Sequence, residues 1–181
     1  MEPSAHTVLS QWESFYVIVG SSAGGLTGLW FVVVTLVADS SLPRPIESTN
    51  AFGTPNVAHF AAVLVLSAIL SAPWVRLKDP AHLVGLMALV GVVYVMIVTR
   101  RMLRQAGYKP VLEDWVFHMV LPMLSYALLF VGAAGMSHDQ VWALFLVAGV
   151  ALLQLCIGIH NAWDTITYIV AERRKEEGEP K

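Results

Sequence analysis

The sequence is short of charge and of cysteine. Asp, Glu, Lys and Arg make up 13% of its 181 residues, against about 25% in an ordinary soluble domain. The single cysteine, Cys156, lies in an apolar run, so no intrachain disulfide can form and the redox compartment cannot be read from cysteine usage. A formal net charge of -2 gives no reason to expect a nucleic-acid partner.

The first 15 residues, MEPSAHTVLSQWESF, lack Lys and Arg altogether. A secretory signal peptide begins with a basic segment and continues with a short apolar core, and the first apolar run here is too long for such a core. We therefore expect this run to be a helix of the protein and not a signal peptide.

Apolar residues, by contrast, make up 56% of the chain. A helix that crosses a membrane needs about 20 of them in succession. Five stretches qualify as spans: residues 15–38, 57–75, 81–99, 116–136 and 141–170, followed by a charged tail at 171–181. Because lipid offers no hydrogen-bond partner to an open backbone, each span is predicted to be a helix. The predicted fold is all-α, a single transmembrane domain over residues 1–181 built as a five-helix bundle.

Prolines mark the expected breaks between these helices. The prolines expected in the first three connections are Pro43, Pro45, Pro55, Pro80 and Pro110. Two others, Pro73 and Pro122, lie inside predicted spans and are expected to end or kink their helices, because proline lacks the backbone N–H that a helix uses.

The distribution of basic residues predicts the orientation. Five spans place the two termini on opposite sides, and of the 11 Lys and Arg residues only Arg76 and Lys78 fall on the N-terminal side. By the positive-inside rule the N-terminus is then outside and the C-terminus cytoplasmic. Tryptophans fall near both predicted boundaries, as in an aromatic belt: Trp12, Trp74, Trp142, Trp115 and Trp163.

Three glycines in the first span lie four residues apart, at Gly20, Gly24 and Gly28. Such a GxxxG face lets a second helix approach closely, which favours helix association in lipid. We consider three partners for it: another helix of the same chain, a second subunit, or a pore or pocket lined by small residues.

Three histidines from three different spans are predicted to reach one level near the inner boundary: His59, His118 and His160. Asp164 follows His160 by one turn, and Asn56, Asp39, Glu113, Asp114 and Asn161 are expected within about two turns of the same plane. Ionisable groups at membrane depth are costly and are functional hypotheses by default. The simpler interpretation is that these polar residues cap helices and bond across them at the interface.

Three kinds of site fit these residues. His59, His118, His160 and Asp164 are of the types that bind Zn, Fe, Ni or Cu. His59 and His118 alone, on two helices, are of the type that holds a haem axially. A proton relay or gate at a cytoplasmic mouth is the third hypothesis. The sequence contains no spaced metal signature such as HExxH, so it assigns neither a metal nor a cofactor.

A polar stripe follows helical spacing along the fifth span, through Gln154, Gly158, Asn161, Thr165 and Tyr168. In lipid such a face must turn toward protein or water. It is interpreted either as glue between helices, since Gln and Asn bond across helices, or as one wall of a hydrated pathway. The middle of the spans contains no Lys, Arg, Asp or Glu, which argues against a proton-coupled pump or a voltage sensor.

The segments FYVIVGSSAGGLTGLWFVVVTL and TPNVAHF resemble the start of a loosely defined set of small multi-pass bacterial membrane proteins with no assigned function. The resemblance covers roughly the first 60 residues, by its position in the sequence, and implies the inner (plasma) membrane of a bacterium. It implies no activity and no site residues.

These features lead to three functional hypotheses. The first is an oligomeric ion channel or small-solute facilitator, with Gln154 and Asn161 along its path and His59, His118, His160 and Asp164 at its cytoplasmic mouth. The second is a membrane redox or metal protein that uses the same histidines. The third is an accessory subunit of a larger membrane complex. In each case we expect the lipid bilayer as a partner, and either copies of the chain or other subunits; no catalytic residue is assigned.

Overall fold

The computed structural model describes residues 5–38, 46–103 and 112–178, and within these ranges the chain forms helices without any strand. The all-α prediction is therefore confirmed for this part of the chain. Four residues named in the sequence analysis lie outside the described ranges, as do four of the basic residues counted for the orientation: Asp39, Pro43, Pro45 and Pro110, and Arg44, Arg104, Lys109 and Lys181. The helices are α1 (Ala5–Ser10), α2 (Glu13–Ala38), α3 (Ile46–Ser71), α4 (Lys78–Leu103), α5 (Leu112–Trp115), α6 (Leu121–Ser137) and α7 (Trp142–Gly178).

Four segments are long and apolar enough to cross a membrane: Glu13–Leu36, Lys78–Leu103, Val116–Ser137 and Trp142–Thr167. They correspond to the first, third, fourth and fifth predicted spans, so the chain has the character of a multi-pass membrane protein. The second predicted span falls in α3, whose apolar part, Asn56–Ser71, is shorter. The count of five spans and the orientation of the termini stay predictions.

The expectation that Pro55 breaks the first connection is wrong, because Pro55 lies inside α3. Proline removes one backbone donor, and a helix can continue past it when the neighbouring turns are held in place. Here the next residue, Asn56, is buried and donates a hydrogen bond to Thr165 of α7. Pro80 sits in the first turn of α4, where its missing N–H costs nothing.

The two prolines expected to disturb helices both stand at irregular points. Helix α3 ends at Ser71, two residues before Pro73, and the Trp74 indole donates a 2.6 Å hydrogen bond to the carbonyl of Ile69. Just before Pro122 the backbone forms a π-helical turn, Val116–Val120, between α5 and α6. Such turns inside helices are often found at functional sites.

The long helices pack side by side in the order α2, α3, α7, α6, α4, with α3 and α4 also in contact. Close approaches at two levels show that each neighbour in this order is antiparallel to the last. The pairs are Gly20 with Ser67 and Gly24 with Leu64, Phe60 with Gly158 and Asn56 with Thr165, Ser125 with Gln154 and Gly132 with Val147, and Gly85 with Ala133 and Gly91 with Tyr126. Two ends result. At the Trp12 end the rings of Trp12 and Phe145 meet at 4.8 Å; the other is the His118 end.

Apolar side chains fill the inside of the bundle and also cover its outside. Among the largest buried ones are Leu66, Leu129 and Leu144, whereas Ile18 and Phe145 are each 66% exposed. A helix that is apolar on all sides is suited to lipid or to the core of a large protein. The exposed apolar surface therefore agrees with a location in a membrane.

Candidate functional site: a buried polar row

The polar side chains buried within the described residues are six: Asn56, His59, Ser67, Ser125, Gln154 and Asn161. Ser67 faces α2, where its Cβ lies 2.8 Å from the position a Cβ on Gly20 would take. The other five lie on α3, α6 and α7, and we call them the polar row. The row begins at the His118 end of the bundle with Asn56 and reaches Gln154 near the middle of the apolar segment of α7, Trp142–Thr167.

At its first level the polar row joins α3 to α7. The Asn56 side-chain amide donates to the Thr165 hydroxyl at 3.4 Å, and that hydroxyl donates to the carbonyl oxygen of Asn161 at 2.7 Å. Because Gly158 and Thr165 both contact α3, Asn161, which lies between them on the same helical face, is directed toward α3 as well. Its side chain is 1% exposed.

His59 adds an imidazole one turn along α3 from Asn56. It is 2% exposed, and it lies close enough to His118, in the π-helical turn, for the two rings to interact electrostatically. The turn before Pro122 thus brings a second imidazole to this level. Two of the three histidines that were predicted to share one level, His59 and His118, lie near each other.

At its second level the polar row joins α6 to α7. The Gln154 amide donates to the Ser125 hydroxyl at 3.4 Å, and that hydroxyl donates to the carbonyl of Pro122 at 2.9 Å. Between the two levels α3 and α7 approach each other closely at Gly158. A Cβ there would lie 2.6 Å from the ring of Phe60. The Phe60 ring therefore separates Asn161 from Gln154.

Much of the hydrogen-bonding capacity of the polar row has no partner among the described residues. The buried atoms without one are the Asn56 Oδ1, the His59 Nδ1, the Gln154 Oε1, and both the Oδ1 and the Nδ2 of Asn161. A buried polar group without a partner costs about 1–3 kcal/mol. Moreover, the two bonds that join helices through the row are 3.4 Å long, beyond the usual 2.7–3.2 Å for N–H···O. The polar row therefore contributes little to holding the helices together.

Beyond Gln154, toward the Trp12 end, the interior between α3, α6 and α7 is apolar. The buried apolar side chains at these levels include Leu66, Leu70, Leu129, Met136, Leu144, Val147 and Val150. Two buried side chains with a hydroxyl group also lie at these levels, Tyr16 on α2 and Ser67, which faces α2. The polar row therefore stops inside the bundle and does not continue to the other end. We call this apolar segment the plug.

His160 and Asp164 take different positions from the polar row. His160 stacks on Phe117 with ring centroids 3.5 Å apart, and its Nε2 lies 3.4 Å from a carboxylate oxygen of Glu113. Asp164 is exposed. The structure consequently places these two predicted residues at the same end of the bundle as His59 and His118, but at its periphery.

No group of three or more His, Cys, Asp and Glu within the described residues has the arrangement of a metal site. The hypothesis that His59, His118, His160 and Asp164 bind a metal or haem stays a prediction, and it enters none of the proposals below.

The three glycines of α2 differ in their surroundings. Gly20 meets Ser67 of α3, and a Cβ at Gly24 would meet only Leu64, at 3.8 Å. Gly28 is exposed and has nothing within 4 Å of where its Cβ would be. The predicted glycine face thus contacts α3 through its first two members.

Comparison with known proteins identifies no relative: no family model, curated protein or solved structure matches this chain. Function must therefore be argued from the site itself. The predicted oligomer, the partner subunits and the choice of membrane stay predictions.

The sequence analysis named four of the five members of the polar row, all but Ser125, but it did not predict the ring that lies between Asn161 and Gln154. Phe60 was not singled out, because a phenylalanine in an apolar run carries no signal that it packs against a glycine of another helix. Phe117 was missed for the same reason, since its stacking on His160 depends on the π-helical turn.

Proposed function

We propose that this protein is a small-solute facilitator of a cell membrane, in which a small polar solute enters the bundle at the His118 end and binds along the polar row. The proposal rests on Asn161. Its side chain is 1% exposed, and neither of its polar atoms has a partner among the described residues. Buried amides are normally bonded, so this one is suited to bind a polar guest.

The apolar plug makes this conformation closed toward the Trp12 end. Passage of a solute then requires the helices around the plug to move, as gated membrane proteins do. By the positive-inside rule, the distribution of Lys and Arg predicts that the His118 end is cytoplasmic. The two 3.4 Å hydrogen bonds of the polar row hold α3, α6 and α7 together only weakly.

Reconstituted liposomes test the proposal. Uptake of small polar solutes, followed by stopped-flow light scattering, is expected to be faster with the protein than without it. The double variant Asn161→Leu, Gln154→Leu removes three of the five unpartnered polar atoms of the row and is expected to slow this uptake at least about tenfold, because each lost hydrogen bond weakens binding several-fold.

The control is Thr167→Val, at an exposed position of the same helix whose hydroxyl bonds only the Asp164 carbonyl. It should leave uptake unchanged. Uptake no faster than in protein-free liposomes, or equally fast in the double variant, would show that the polar row is not a path.

A further inference from the structure

The hydrogen-bonding groups of the polar row also define the chemical class of the solute. We infer that it is uncharged and rich in hydrogen-bond donors, with a single acceptor beside them, as in urea and simple amides. This inference rests on the proposed function and gives its site a substrate class.

Charge is the first criterion. The buried polar side chains of the described residues are amides, hydroxyls and one imidazole, and no Asp, Glu, Lys or Arg is among them. An ion moved from water into such surroundings needs an opposite charge or a metal beside it. The row therefore favours a solute without charge.

The balance of donors and acceptors is the second criterion. On the Asn161 side of the Phe60 ring, the unpartnered carbonyl oxygens of Asn56 and Asn161 accept hydrogen bonds, whereas the Asn161 amide nitrogen is the one amide nitrogen of the row without a partner among the described residues. The His59 Nδ1 donates or accepts according to its tautomer. A solute that matches this set offers several N–H groups and one carbonyl oxygen. Urea and acetamide have this pattern, whereas ketones and esters lack the donors.

The close packing around Asn161 favours a small solute. Asn161 lies between two helices that meet closely at Gly158, and the Phe60 ring, itself 1% exposed, closes the row just beyond it. A flat solute that binds the Asn161 amide edge to edge uses both of its free atoms. Asn56 bonds Thr165 and therefore lies about one helical turn nearer the His118 end, where its oxygen has no partner among the described residues.

Uptake into proteoliposomes distinguishes the classes when urea is compared with its charged isostere guanidinium and with glycerol, which is neutral but not planar. We expect urea and acetamide to enter at least about tenfold faster than guanidinium or glycerol. Asn161→Leu should reduce urea uptake by about tenfold or more, and Thr167→Val should not change it.

The outcomes separate the two proposals. Guanidinium or glycerol entering as fast as urea, in a manner sensitive to Asn161→Leu, would overturn the substrate class but leave the facilitator in place. Failure of every solute to enter faster than in empty liposomes would overturn both. Asn161→Asp adds a further check, because a carboxylate at this position should shift the preference from urea toward guanidinium.

Discussion

The side chain of Asn161 does not form the hydrogen bonds expected of a residue that ties two helices together. An amide that serves as glue makes short bonds to the facing helix. Within the described residues, the hydrogen bond that crosses to α3 near Asn161 runs between Asn56 and Thr165, and it is 3.4 Å long. The side chain of Asn161 itself bonds to nothing in the described residues, so it contributes a cost to stability.

Replacing Asn161 by leucine should therefore not weaken the fold. The substitution removes two unpartnered atoms, each costing about 1–3 kcal/mol, and part of that gain offsets the strain of a larger side chain. We expect the thermal midpoint of Asn161→Leu in detergent to equal or exceed that of the unmodified protein. Asn161→Ala, which leaves space unfilled, should fall below Asn161→Leu. A leucine variant that is clearly less stable than the natural protein would identify the amide as glue.

Residue depth was predictable from the sequence, but residue direction was not. Counting a rise of about 1.5 Å per residue from the start of a span gives the level of a side chain. This placed His59, His118 and His160 at one end. The same count does not say which neighbour a face will meet, and so it grouped His160 and Asp164 with the buried imidazoles. In the structure His160 stacks on Phe117 and Asp164 is exposed.

Hydrophobic runs in the sequence locate the long helices, because a helix needs about 20 apolar residues to cross the hydrocarbon core of a membrane. Their ends are less well determined. Helix α3 begins at Ile46, 11 residues before the predicted start of the second span at residue 57, because proline weakens a helix but does not always end it. The π-helical turn before Pro122 was expected only as a kink.

The contact of α2 with α3 gives a prediction at this scale, with a matched control on the same helix. A Cβ at Gly20 would lie 2.8 Å from the Ser67 Cβ, which is close to the backbone and cannot rotate away. Gly20→Ala should therefore force the helices apart and lower the free energy of unfolding by about 1–3 kcal/mol. Gly28→Ala meets nothing within 4 Å and should be neutral or stabilising by up to about 1 kcal/mol.

Unfolding of both variants in detergent, followed by tryptophan fluorescence, measures the difference. Equal stability of the two variants would mean that the Gly20 contact does not hold α2 against the bundle. A loss of stability at Gly28 alone would point instead to a partner that contacts α2 at Gly28.

For the whole molecule, the alternation of helix direction follows from the short connections, but the order of packing does not. Most helices here are apolar on the inside and on the outside, so the sequence marks no single face for a neighbour. The polar row is the exception, since burial of Gln154 and Asn161 requires α7 to lie in the interior. The sequence predicted a polar path along α7. In the structure, the buried side chains between α3, α6 and α7 beyond Gln154 are the apolar ones of the plug.

We propose that a polar solute reaches Asn161 from one end of the bundle and that the apolar plug beyond Gln154 stops it there. The most direct measurement uses Cys156→Ala, which removes the single cysteine, with either Asn161→Cys or Val150→Cys added, and a small membrane-impermeant thiol reagent applied to sealed vesicles. We predict that the thiol at position 161 is modified only from the side that carries the C-terminal tail, and that urea slows this modification. The thiol at position 150 should be modified from neither side. Modification at 161 from the opposite side, or from neither side, would contradict this proposal.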